Sequence, residues 1–148
     1  MKIFVTRHGE TEYSLKNVVC GSTDCKFTER GRKQAQDLAE KLNKRSSQID
    51  IIYSSPLIRA RETAEIISGV ISVPVVVDDR LREQNCGAYE GRVQRNDPEF
   101  IKARRQYAGR LNGGSSILQL TQQVYRSEER RVGKECLTQC RSRWSPYH

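Results

Sequence analysis

Arg7-His8-Gly9-Glu10-Thr11 is the segment whose residue types most directly suggest chemistry. A neutral imidazole can attack phosphorus and carry the phosphoryl group. The arginine beside it offers bidentate, charge-assisted hydrogen bonds to phosphoryl oxygens, and the glycine permits close backbone approach. Alone, the segment reads as structural, because a single histidine after a strand mostly serves in a structural role. A second segment, Ser54-Ser55-Pro56-Leu57-Ile58-Arg59-Ala60-Arg61, sets two arginines in the first turns of a predicted helix, whose N-terminus itself favours anions. Arg59 and Arg61 point in different directions, so one can face a site and the other solvent. A third segment, Leu81–Gly91, carries Glu83 in a glycine-containing loop. A carboxylic acid is what protonation of a leaving alkoxide requires, although Glu83 reads equally as a solvated loop charge.

Those segments need elements to position them. Residues 2–6 form a short β-branched and aromatic run that predicts a buried strand ending at Arg7-His8-Gly9. Thr28 is the expected N-cap of a helix in which Ala35, Leu38, Ala39 and Leu42 recur at helical spacing through Asn43. Ile49–Tyr53 and Val73–Val77 predict two further strands. Between them a helix is expected, with Ser55 as N-cap, Pro56 in the first position and Leu57, Ala60, Ala64 and Ile67 on one face. Asp78–Gly91 reads as irregular, and Asp97–Ala108 and Ser116–Tyr125 read as helices. Strands alternating with helices imply an α/β domain with a largely parallel sheet. In such sheets ligands sit at the carboxyl ends of strands, where Arg7-His8 and Ser54–Arg61 fall.

Composition bounds the class. The 148 residues suit a single core, and net charge +8 fits nucleic acid, an anionic membrane or a phosphorylated small substrate. No apolar run approaches the ~18 residues of a membrane span, and Met1–Thr11 lacks the features of a secretory signal. Five cysteines without a paired C-x-x-C spacing argue against a zinc site or a disulfide framework. The expectation is a cytoplasmic, reducing environment, with Cys20, Cys25 and Cys86 as small packing or surface residues and no thiolate nucleophile.

Together the segments resemble the histidine phosphatase superfamily, also called phosphoglycerate mutase-like. Arg7-His8-Gly9-Glu10-Thr11 comes first, followed by Thr28-Glu29-Arg30-Gly31 with Gln34-Ala35. Then come Ser55-Pro56-Leu57 with Arg59-Ala60 and Thr63-Ala64, and finally Leu81, Glu83, Gly87, Glu90 and Gly91, all in the family's order from Lys2 to about Tyr125. The resemblance implies a three-layer αβα sandwich with a mostly parallel sheet. It implies His8 as nucleophile, Arg7 and Arg59 as the phosphate clamp, and Glu83 as general acid and then base. It further implies Asn17 and Gly21 in the loop lining the phosphate pocket, no metal, no cofactor, and a small phosphorylated substrate as partner. Ser14 stands where family members usually carry asparagine, and can still donate a hydrogen bond. Only Arg92–Asn112 separates Gly91 from Gly113; that short span resembles the phosphatase branch (phosphoserine, α-ribazole phosphate or broad-specificity sugar phosphatases) rather than the mutases, which carry a longer insertion there. A mutase-type phosphotransferase is the alternative within the family.

Two features depart from the pattern. The family uses a second histidine after a late strand, whereas residues 1–125 contain only His8. The domain 1–125 is therefore expected to be incomplete at its C-terminus, to lack a late central strand, to leave strand edges unpaired, and to be impaired in activity. Residues 126–148 have no apolar period; Arg126–Cys136 and Cys140–His148 resemble in-frame translations of a sequencing-library adapter. That tail, which includes His148, is expected to be non-native and disordered. It holds six basic and three acidic residues, so residues 1–125 carry +5 of the +8. Outside enzymes, the remaining readings are an inactive fragment or a basic nucleic-acid-binding domain built on Lys102, Arg104, Arg105 and Arg110 with Tyr107 interleaved, and on Lys41, Lys44 and Arg45. No recognised nucleic-acid-binding module supports the latter.

Overall fold

The computed structural model describes residues 3–129. Chain order begins with the short helix α1 (Glu12–Leu15), then α2 (Glu29–Asn43), strand β1 (Ile52–Ser54), α3 (Ile58–Ile71), strand β2 (Val75–Val77), α4 (Pro98–Arg104) and α5 (Ile117–Glu129). Single 3₁₀ turns cover Ser46–Gln48, Asp79–Leu81 and Gly87–Tyr89. β1 and β2 pair in parallel, Ile52 opposite Val75 and Ser54 opposite Val77, with α3 as the crossover between them. The apolar stripes expected on α2 and α3 face each other: Ala39 packs with Ala64, Ile67 and Ile71, and with Ile49, Ile52 and Val73 beneath. A second core gathers Val19, Cys86, Phe100 and Leu111 under the loops, where the Tyr89 and Phe100 rings lie 5.3 Å apart.

Several boundaries shift. The strands are shorter than the apolar runs that mark them, and the helix expected over Asp97–Ala108 closes at Arg104. α3 begins at Ile58, not Pro56: Ser55 and Pro56 lie between the end of β1 and the helix, and the N-cap is Leu57, which has no side-chain oxygen to offer. The strand expected over residues 2–6 is not formed among residues 3–6. Phe4 turns onto the first core while Ile3 and Val5 are 56% and 53% exposed. The two-residue alternation is thus present, but no described strand supplies a backbone ladder to it. α5 starts from a reciprocal cap between Ser116 and Gln119 and continues to Glu129, so it includes Arg126–Glu129. The rest of the expected tail, 130–148, lies outside the described residues.

The segment carrying His8 is anchored to the start of α2. Thr28 caps α2 by accepting from Gly31 N–H at 3.0 Å, while its own N–H and hydroxyl go to Glu10. There the chains cross so closely that a Cβ on Gly9 would strike the Gly31 carbonyl, and one on Gly31 would strike the Glu10 carbonyl. Glycine to alanine in a helix ordinarily stabilises by about 1 kcal/mol. At position 31 the sign is expected to reverse: Gly31→Ala should destabilise by about 1–3 kcal/mol through overpacking against backbone, measured by urea denaturation at constant m-value.

Candidate active site

A cavity of about 120 Å³ opens between the carboxyl end of β1, the start of α3 and the 81–86 loop. Its walls include Arg7, His8, Arg59 and Glu83, which are drawn from three distant segments, together with Arg95 and Arg104. Gly21 stands just behind Arg59, to which its carbonyl is bonded. Ser14 and Asn17 are not among the cavity-lining residues. The Ser14 hydroxyl closes a capping box on α1, accepting from Thr11 N–H at 2.7 Å, and Asn17 ends that turn in the left-handed region at φ 54°.

His8 is oriented by its own backbone. Nδ1 lies 2.7 Å from the Gly9 carbonyl. A carbonyl can only accept, so Nδ1 carries the proton and Nε2 keeps its lone pair. Burial lowers the pKa of His8 most; the bond to Gly9 opposes this, and the cations of Arg59, Arg7 and Arg95 push it down again, to about 4. The ring is therefore neutral at physiological pH.

Arg59 is 3% exposed, since a position two residues into α3 faces the inside of the fold. Its Nη2 donates to the Gly21 carbonyl at 2.7 Å and its Nη1 to the Thr23 carbonyl at 3.0 Å. A guanidinium has five N–H donors, so these two bonds fix the plane and leave others for the cavity. The helix N-terminus itself is less open to a ligand than expected, because Ile58 N–H donates to the Asp24 carboxylate at 2.7 Å. Arg61, two residues on, is exposed and pairs with Glu65. Glu83 sits half-buried with Oε1 accepting from Gln84 N–H at 3.1 Å.

Three groups at the cavity escaped the sequence reading. Arg95 Nε donates to the Val18 carbonyl at 2.9 Å; burial, and then Arg7, lower its pKa. Arg104 lies over the Phe100 ring, 5.9 Å from its centroid, so one member of the supposed basic stretch turns inward. Helical spacing of Arg104 four residues after Phe100 was the available signal. The third is a thiol pair. Cys20 Sγ and Cys25 Sγ are 3.3 Å apart. The bond from Cys20 lowers the Cys25 pKa most; burial opposes it, and Thr11 and Arg59 assist, bringing it to about 6, while the Cys20 thiol is raised. Cys25 is buried, as expected of a small packing residue, and the contact with Cys20 biases the Cys25 thiol downward. No cluster of three or more His, Cys, Asp or Glu suited to a metal occurs among the described residues, and no described helix is long and apolar enough to cross a membrane.

Comparison with known proteins follows the same lines. A family model described as the histidine phosphatase superfamily (branch 1) matches residues 3–138. A protein of Hydrogenobacter thermophilus named as a phosphoserine phosphatase is 42% identical over 91 residues, covering 62% of this chain and 44% of its own length. One of Salmonella choleraesuis named as the phosphoglycerate mutase GpmB is 34% identical over 131 residues, covering 84% of this chain and 60% of its own length. The chain therefore spans about half the length of these curated relatives. Among solved structures, mycobacterial glucosyl-3-phosphoglycerate phosphatase Rv2419c aligns with a TM-score of 0.78 at 27% identity, covering 90% of this chain and 70% of that one. Its complex with VO3 aligns at 0.76 and 30% identity, covering 89% and 71%. The likeness extends to the α/β, phosphoglycerate mutase-like fold.

A depressed histidine pKa has a signed consequence. The folded state binds fewer protons than the unfolded chain between about pH 6.5 and about pH 4. Its contribution to stability should be complete above that window and decline as pH falls through it. NMR titration should show the His8 ring, assigned by its loss in His8→Gln, protonating near pH 4; a midpoint near 6.5 would contradict the site's electrostatics.

Proposed function

Because this chain belongs to the histidine phosphatase superfamily, we propose that it hydrolyses the phosphomonoester of a small metabolite through a phosphohistidine formed at His8. The observation that carries this reading is a neutral imidazole, its Nε2 unprotonated, in one cavity with Arg7, Arg59 and Glu83. Nε2 attacks phosphorus in line with the leaving oxygen. The guanidinium groups of Arg7 and Arg59 meet the phosphoryl oxygens, whose charge is held throughout the transfer. Glu83 gives its proton to the leaving alkoxide. In the second half Glu83 takes a proton from water as that water displaces His8 from phosphorus, and inorganic phosphate leaves.

Ser14 and Asn17 serve this site indirectly, through the turn that leads into the 20–25 loop, and Gly21 serves it through the carbonyl that holds Arg59. That a structural relative named as a phosphatase forms a complex with VO3 supports an oxyanion site in this fold. A mutase-type transfer shares the first half-reaction and differs in the acceptor; the short Arg92–Asn112 span supports water as acceptor here.

Steady-state phosphate release separates the roles. His8→Ala should reduce release to background with every phosphomonoester. Glu83→Gln should lower kcat by roughly 10²–10⁴-fold for an alkyl phosphate but far less for p-nitrophenyl phosphate, whose leaving group needs no proton. Equal losses on both esters would remove Glu83 from the acid role, and undiminished release by His8→Ala would refute the phosphohistidine route.

A further inference from the structure

We propose that Glu90 is a positioning residue for the phosphate clamp: its carboxylate gathers the 20–25 loop and thereby fixes the backbone carbonyls that aim Arg59. The inference rests on the reading of the cavity as a phosphate site.

The carboxylate collects donors from two separate loops. Oε1 accepts from Ser22 N–H at 2.9 Å and from Cys86 N–H at 2.7 Å, with the Ser22 hydroxyl at 3.3 Å. Oε2 accepts from Thr23 N–H at 2.6 Å. Burial favours the neutral acid, but the bonds from Thr23, Cys86 and Ser22 outweigh it and hold the group below its usual pKa. Glu90 is therefore an anion with its lone pairs committed to backbone.

The bond to Ser22 bears directly on Arg59. Ser22 N–H and the Gly21 carbonyl belong to one peptide unit, which is planar and trans, so its N–H and C=O point in opposite directions. Glu90 holds the N–H side of that plane, and Arg59 Nη2 holds the C=O side. An anion and a cation thus polarise one peptide from opposite ends, a cooperative arrangement. The second carbonyl on Arg59 comes from Thr23, whose N–H is also bound by Glu90. Gly21 has no Cβ in the way: one built there would strike the Glu90 carboxylate and the Gln84 carbonyl. Cys86 N–H and the bond from Gly91 N–H to the Val19 carbonyl tie the same arrangement to the loop that follows Glu83.

Glu90→Gln tests this with little change in shape, because an amide replaces one acceptor oxygen with a donor that faces Thr23 N–H. Calorimetric binding of inorganic phosphate to the full chain should weaken roughly tenfold to hundredfold, the usual range for losing a charge-assisted bond. In ¹⁵N spectra the two Arg59 Nη groups should be distinct in the parent and should average together in Glu90→Gln. In an Arg59→Lys background the further loss from Glu90→Gln should shrink to a few-fold. Should Glu90→Gln fail to fold, Glu90→Asp carries the same comparison, with a smaller loss of the same sign. Parent-like phosphate affinity and unchanged Arg59 signals in the variant would overturn the positioning role while leaving the phosphate site standing. Absence of phosphate binding by the parent would overturn the site and the inference together.

Discussion

A guanidinium taken out of water must have its donors met, and the site depends on how this is done for Arg59. The chain answers with two backbone carbonyls, Gly21 and Thr23, rather than with a carboxylate. A carboxylate would cancel the positive charge; carbonyls fix the plane and leave the charge for a ligand. The loop that offers them is held from outside by Glu90, while its Asp24 caps the helix from which Arg59 projects. One six-residue stretch, Cys20–Cys25, therefore reconciles the buried Arg59 cation, a helix N-terminus and the Glu90 carboxylate, and it does so mostly with backbone groups.

The same cations act on His8. Burial alone disfavours the charged ring, and Arg59, Arg7 and Arg95 disfavour it further. In the proposed reaction those residues would attract a phosphate, and they also keep the imidazole unprotonated, so the groups that would bind the substrate also prepare its nucleophile. The bond from Nδ1 to Gly9 completes this by choosing the tautomer. It depends on the crossing of Gly9 and Gly31, which places the His8 backbone against the start of α2.

How legible all this was in the sequence depended on the range of the forces involved. Thr28, Ala35 and Ala39 stood out because capping and helical periodicity are local, and the face Leu57, Ala60, Ala64, Ile67 is buried throughout. Arg7, His8, Arg59 and Glu83 were recognised by type and order, and they meet at one cavity. The β-branched and aromatic run of residues 2–6 misled because such residues record a fitness for a half-buried sheet surface, whereas a ladder requires a neighbouring strand. The start of α3 was misplaced because its N-terminus is capped by Asp24, 34 residues earlier in the chain. Arg95, the thiol pair and the role of Glu90 were hidden for the same reason: each is defined by a partner that no local pattern predicts.

Phosphoryl transfer through His8 would leave a covalent trace on its imidazole. Incubating the full chain with a phosphomonoester, quenching in alkali and mapping the phosphopeptide by mass spectrometry tests it directly. The account predicts an alkali-stable, acid-labile phosphate on His8 that is absent in His8→Ala; phosphate found on another residue, or hydrolysis proceeding with His8 never phosphorylated, would contradict it.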